Sequence, residues 1–193
     1  MSFPRRHFLL AVPALALALA GLSHAQEVAV PIAIQADLLV KVAAYDRNLP
    51  NRAGDRVRTL IVSRPGNSTS SRVAGQMAKA MEPKEPIAGL PHDEILYSFS
   101  DAGALARTCR ERRISLVYLA PGFGDGELNA IADALDGVDV LTAGALADYV
   151  PRRVVLGFDL VSGKTKLLVH LAQARRQRVA LSSEVLKMAT VIE

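Results

Sequence analysis

Residues 153–193 read R-V-V-L-G-F-D-L-V-S-G-K-T-K-L-L-V-H-L-A-Q-A-R-R-Q-R-V-A-L-S-S-E-V-L-K-M-A-T-V-I-E. Two apolar, β-branched runs flank Ser162-Gly163, a dipeptide suited to a tight turn, so residues 154–171 are expected to form a β-hairpin. A short basic helix carrying Arg175, Arg176 and Arg178 should follow. Leu181, Val185, Leu186 and Ala189 then recur at helical spacing. That spacing predicts a last helix, capped by Ser182 or Ser183 and buried on its apolar side. On this reading the hairpin is the antiparallel edge of a larger sheet.

The rest of that sheet is written upstream. Pro31 suits the first turn of a helix that places Leu38, Leu39, Val42, Tyr45 and Leu49 on one face. Asp37 and Lys41 have the order and spacing of a helix ion pair. Residues 48–54, N-L-P-N-R-A-G, break the helix. Strand and helix signals then alternate. Residues 57–62, 95–99, 114–119 and 138–141 are short apolar runs. Between them lie a helix capped by Asn67 or Ser68 and carrying Val73, Met77 and Met81, and a helix capped by Asp101 that holds Cys109. A third carries Leu128, Ile131, Ala132 and Leu135 and stops at Asp136-Gly137. Four strands separated by helices predict an α/β fold of three layers. It is a mostly parallel sheet with right-handed crossovers, flanked by helices and ending in the antiparallel hairpin. No internal repeat or low-complexity linker divides residues 26–193, which are expected to form one domain.

The C-terminal order resembles the signature of the YfiR-like family of exported bacterial proteins. Leu171, Ala174, Arg175, Leu181, Ser182, Ser183, Leu186, Ala189, Val191 and Ile192 stand in its places. Residues 38–50 resemble the first helix of a subgroup, with Lys41, Tyr45, Asp46, Arg47 and Asn48 in matching positions. His170 stands where that family often has Asn, and Arg178 where it often has a helix-ending Gly, so the local turn at Arg178 is expected to differ. The resemblance implies a periplasmic, non-enzymatic regulator that dimerises. It would bind the periplasmic sensor region of a membrane-bound diguanylate cyclase and restrain cyclic-di-GMP synthesis. No cofactor is implied.

Residues 1–25 read as an export signal. Arg5-Arg6 precede an apolar run from Phe8 to Leu22, and Ser23-His24-Ala25 is a small-residue cleavage site. The string R-R-H-F-L-L fits a twin-arginine signal, and an ordinary Sec signal fits equally well. Removing residues 1–25 takes away two arginines and lowers the formal charge from +4 to about +2. With no Trp and scattered aromatics, neither a basic field nor a stacking platform for nucleic acid is evident. Cys109 is the only cysteine, so no intramolecular disulfide can form, and its place on an apolar stripe reads as a buried small hydrophobe.

Chemistry-bearing motifs are sparse. Residues 121–126, P-G-F-G-D-G, lie between a strand and a helix, but Glu127 stands where a dinucleotide loop needs its third glycine. Outside the signal the histidines are His92, in a polar loop entering a strand, and His170, so no metal-ligand spacing exists. No G-x-S-x-G elbow is present. The candidate ligand loop is Asn67, Ser68 and Thr69, whose hydroxyls and helix N–H groups could also serve simply as a cap. A second reading, a periplasmic small-ligand module working with a transporter or sensor, would require a deep pocket lined by Ser68, Thr69, Ser98 and Gly122. Arg107, Arg110, Arg112 and Arg113 are expected to ride one helix. Arg175, Arg176 and Lys187 are the candidate partner contacts, with a solvated helix face as the plain alternative.

Overall fold

The computed structural model describes residues 28–193; the expected export signal lies outside them. The chain starts with α1 (Ile32–Ala44), entered at Pro31, followed by a five-residue helix α2 (Leu49–Ala53). Residues 48–54 therefore turn the chain by means of a second helix rather than a loop, with Pro50 near its start, where a missing N–H costs nothing. Leu39, Val42 and Leu49 are buried as their spacing requires, whereas Tyr45 at the end of α1 is exposed. Asp37 does not pair with Lys41. Its carboxylate meets Lys84 Nζ at 2.6 Å, tying α1 to the loop of residues 82–91.

Strand β1 (Val57–Ser63) leads to α3 (Ser68–Met81), and β2 (His92–Ser98) leads to α4 (Ala102–Glu111). Strand β3 (Leu116–Leu119) leads to α5 (Asp125–Ala134), then β4 (Leu141–Gly144) and a short 3₁₀ turn at Ala147–Tyr149. The hairpin is β5 (Leu156–Val161) with β6 (Lys164–His170); Ser162 and Gly163 both have positive φ, at 51° and 74°. This is the turn whose twist matches paired strands. Helices α6 (Leu171–Arg176) and α7 (Ser183–Met188) and strand β7 (Ala189–Ile192) complete the chain. Asp101 caps α4 through a 2.7 Å bond from the Ala104 N–H, and Ser182 caps α7 through the Val185 N–H.

The sheet order is β2-β1-β3-β4-β5-β6-β7. Strands β1 to β5 are parallel where paired, β5 and β6 are antiparallel, and β7 runs parallel to β6. The chain crosses leftwards from β1 to β2 and rightwards from β2 to β3. Right-handed crossovers must then put α3 and α4 on opposite faces. Accordingly α1 packs with α3 and α4 with α5, giving three layers. The hydrophobic core includes Leu60, Ile61, Tyr118, Leu141 and Phe158, all essentially inaccessible.

Two expectations fail here. The last helix stops at Met188, and Ala189 to Ile192 pair with Leu167 to His170, so β7 rather than the hairpin is the sheet edge. Thr190, Val191 and Ile192 favour a pleated surface, and β6 offers an open edge; together these override the helical spacing. His92, Asp93 and Glu94 likewise belong to β2, each paired with a β1 residue, instead of forming a loop.

The base of the sheet is closed by one carboxylate. Asp46 is fully buried, and its Oδ1 accepts the Asn48 N–H at 3.0 Å and the Ala180 N–H at 2.9 Å. Its Oδ2 faces the Arg52 guanidinium, which also reaches Asp139 at 2.7 Å. Around this centre the Asn48 amide donates to the Arg178 carbonyl (2.7 Å), and the Arg47 N–H to the Ala180 carbonyl (3.1 Å). The Ser182 N–H donates to the Tyr45 carbonyl (3.0 Å). Burial pushes the Arg52 guanidinium below its ordinary value, while Asp139 pulls it back up. Removing one partner of a buried pair strands the other. Asp46→Ala is therefore expected to lower unfolding free energy by about 3 kcal/mol in urea titrations, well beyond the effect of an exposed substitution such as Asp136→Ala.

Candidate functional site

In a sheet ordered β2-β1-β3-β4, the chain leaves β1 towards β2 and leaves β3 towards β4, in opposite directions, and ligands of doubly wound folds bind at that switch point. The loops concerned are residues 64–67, after β1, and 120–124, after β3. Here the protein's own side chains fill the crevice. Asn67 Oδ1 caps α3 by accepting the Ser70 N–H at 2.9 Å. The rest of the Asn67 amide lies against Gly122, where a Cβ would stand 2.5 Å from Nδ2. Gly122 has φ of 107°, so both its space and its backbone require glycine.

Arg64 spans the same opening and pairs with Glu127 at 3.2 Å. The other oxygen of Glu127 accepts the Gly124 N–H at 2.9 Å, closing the first turn of α5. The residue that breaks the dinucleotide pattern is thus a cap and a counter-ion. Below it, the buried Tyr149 hydroxyl accepts the Phe123 N–H (3.0 Å) and donates to the Ala120 carbonyl (3.3 Å). Burial pushes that phenol up to about 12, so it stays protonated. Phe123 meets Phe99 edge to face, with ring centres 5.2 Å apart. Gln35 joins α1 to the sheet by donating to the Val30 and Ala145 carbonyls and accepting from the Tyr118 hydroxyl.

The candidate ligand loop is therefore a helix start packed on a glycine. Asn67 is the cap, Ser68 is exposed and Thr69 half-buried. A concavity of about 400 Å³ does exist at the other end of β1 and β2, lined by Arg58, Asp93, Ile95, Glu111, Arg112 and Arg113. Arg112 and Arg113 lie just beyond α4, so the basic segment spans a helix end rather than one helix face. Among the described residues, no cluster of three or more His, Cys, Asp or Glu could hold a metal ion.

The candidate partner contacts are all exposed: Arg175 and Arg176 close α6, and Lys187 lies in the last turn of α7. Helix α6 is held by its neighbours. The Gly137 N–H donates to the Arg176 carbonyl, and the buried Gln177 links to β4 through Thr142. Arg178 itself adopts φ of 53°, so the turn expected to differ keeps the left-handed backbone a glycine would take. His170 caps α6, its Nδ1 accepting the Gln173 N–H at 3.3 Å. An Asn could make the same kind of cap.

Sequence reasoning missed Tyr149, Gln35 and Arg52. For Gln35 alone a signal was available, its polarity on the buried side of α1. The segments that contain the first helix and the C-terminal signature are the two that meet around Asp46. A model of the YfiR/HmsC-like family matches residues 33–190. The chain belongs to the YfiR/HmsC-like family. This family is one of periplasmic regulators, generally non-enzymatic, that act through protein partners in signalling connected with cyclic-di-GMP and biofilms.

Among solved structures, the fold is similar to a conserved domain protein of Vibrio cholerae, with TM-score 0.53 and 16% identity over 84% of this chain and 60% of that one. It is also similar to an ABC domain from Streptococcus pneumoniae in complex with L-Trp, with TM-score 0.54 and 10% identity over 78% of this chain and 62% of that one. The chain thus spans about three-fifths of the length of each, and at such identities the likeness is one of fold alone. A comparison with curated proteins found no match.

Three measurements check the site's chemistry. Cys109 is 2% exposed, and burial pushes its thiol up to about 12, so thiol reagents at neutral pH should label it only when the protein unfolds. Gly122→Ala should lower unfolding free energy by about 1–3 kcal/mol in urea, because it adds both a clash and backbone strain. The His170 imidazole lies below its ordinary 6.5, through burial first and then Arg153 and Arg176. Its contribution is complete above 6.5 and is lost as pH falls through the lower folded value. The melting temperature should therefore drop more steeply below pH 6.5 in the parent than in His170→Asn.

Proposed function

We propose that this chain is a periplasmic regulator that restrains an inner-membrane diguanylate cyclase by binding the cyclase's periplasmic sensor region. It would be exported by a Sec or twin-arginine signal cleaved after Ala25 and would work as a homodimer formed from one domain, residues 26–193. The observation that carries the reading is the filled crevice. Where a doubly wound fold would hold a small molecule, Asn67, Arg64 and Glu127 occupy the space, which leaves recognition to the outer surface. Family membership supports the same direction. Binding would act by favouring the inactive receptor state, which needs only a difference in affinity for the two receptor conformations. Arg175, Arg176 and Lys187 are the proposed contacts.

A small-ligand module is the second reading, favoured by the 400 Å³ concavity between Arg58 and Arg113, whose size lies in the range of ligand sites. Calorimetry with a panel of amino acids and small anions would reveal it.

The main test is genetic and biochemical together. Deleting the chain should raise cellular cyclic-di-GMP, and the purified protein should bind the sensor segment of a membrane-bound cyclase. Arg175→Glu with Arg176→Glu should weaken that binding at least tenfold, about 1.4 kcal/mol, without lowering the melting temperature. Unchanged cyclic-di-GMP on deletion, with no binding to the segment, would contradict the proposal.

A further inference from the structure

The concavity at the start of β1 and β2 has two walls of different origin. Register sets Arg58 opposite Asp93, with Ile95 two residues further along the same face of β2. Glu111, the last residue of α4, and Arg112 and Arg113 beyond it form the other wall. Its charges are unevenly matched. Both oxygens of Asp93 lie 2.8 Å from Arg56 Nη1, so that carboxylate is already taken. Asp55 is 76% exposed and meets Arg58 only at 3.4 Å. Among the described residues, neither Arg112 nor Arg113 forms an ion pair with a carboxylate. Three guanidinium groups, of Arg58, Arg112 and Arg113, therefore face only Asp55 and Glu111, and the concavity keeps a surplus of positive charge.

The backbone puts Arg113 there against its own preference. It follows the C-cap of α4 with φ of 50°, the left-handed position at which helices commonly end on glycine. The Ile114 N–H closes the turn by donating to the Cys109 carbonyl at 2.9 Å. Glycine would take this conformation without strain, whereas the arginine carries its Nη1 across to Gly54, 3.5 Å from where a Cβ would stand. Guanidinium groups present planar forks of N–H donors that match the oxygens of a carboxylate or a phosphate, and two forks without a carboxylate partner leave such donors free. We propose that this concavity binds a small molecule through an oxyanion group, phosphate or carboxylate, held by Arg112 and Arg113 together with Arg58. The volume of about 400 Å³ suits a ligand of metabolite size, and Ile95 gives its carbon frame an apolar contact on the strand wall.

This inference rests on the small-ligand reading of the concavity and gives it a ligand class. It is tested by two-dimensional NMR of the purified protein in phosphate-free buffer, titrated with inorganic phosphate and, separately, with succinate. The amides of Asp93, Ile95 and Arg113 should shift to saturation with a dissociation constant of about 1 mM or lower. Arg112→Ala and Arg113→Gly should each weaken binding about tenfold, whereas Arg72→Ala, exposed on α3 across the sheet, should leave it unchanged. Arg113→Gly separates recognition from folding, because glycine relieves the left-handed backbone: its melting temperature should equal or exceed the parent's while its binding falls. Saturation by phosphate, by succinate or by both supports the site and tells which oxyanion it takes. Binding unchanged in both arginine variants would place the ligand elsewhere and overturn the assignment. Shifts that neither probe saturates would also overturn it; an amino acid that still binds at these residues would then leave the small-ligand reading standing, and no binding by any probe would overturn both.

Discussion

The carboxylate of Asp46 is where two distant parts of the chain become one structure. Fully buried, it accepts N–H groups from Asn48, two residues away, and from Ala180, far along the chain, and it faces the Arg52 guanidinium. A charge in such surroundings is tolerable only when paired and hydrogen-bonded, and an arginine supplies a fixed fork for the purpose. The arrangement fixes the end of α1, the direction of α2 and the path of the segment between α6 and α7. Hydrogen bonds from Arg47, Asn48 and Ser182 add backbone partners around it. The same segment leads into α7 and then β7, which pairs with β6.

The parallel core was legible because its rules are local. Short apolar runs alternating with capped helices read correctly as β1 to β3, while the run 138–141 meets β4 only at Leu141, and Asn67, Asp101 and Ser182 sit at the helix starts their side chains favour. The Ser162-Gly163 turn was equally readable. The end of the chain was not. Leu181, Val185, Leu186 and Ala189 have helical spacing, and only the presence of β6 beside residues 189–192 turns those residues into a strand. Cross-chain ion pairs were also invisible. Asp37 was at the right distance in sequence from Lys41 but found Lys84 in space.

The candidate ligand loop lies after β1, at the switch point of the sheet. Asn67 and Gly122 belong to the loops that flank the switch point, and they are pressed together rather than held apart around a ligand. Glu127 looked like a defect in a phosphate loop, but it caps α5 and holds Arg64. Tyr149 gave no sequence signal, since its role depends on a turn after β4 delivering its hydroxyl to the loop after β3. The packing of side chains in the crevice is in keeping with a family of regulators that work through protein partners. His170 and Arg178 depart from the family pattern in side chain but keep a cap and a left-handed turn.

The hydrogen bonds to Asp46 predict that the first helix and the C-terminal segment open as one unit. Native-state hydrogen exchange, followed amide by amide by NMR, measures this directly. The amides of Asn48 and Ala180, which share Asp46 Oδ1, are expected to exchange only through global opening, with the same free energy as amides of the buried strand β3. Rapid exchange of Ala180 by local opening, while Asn48 and β3 stay protected, would show that the C-terminal segment docks independently and would contradict the account.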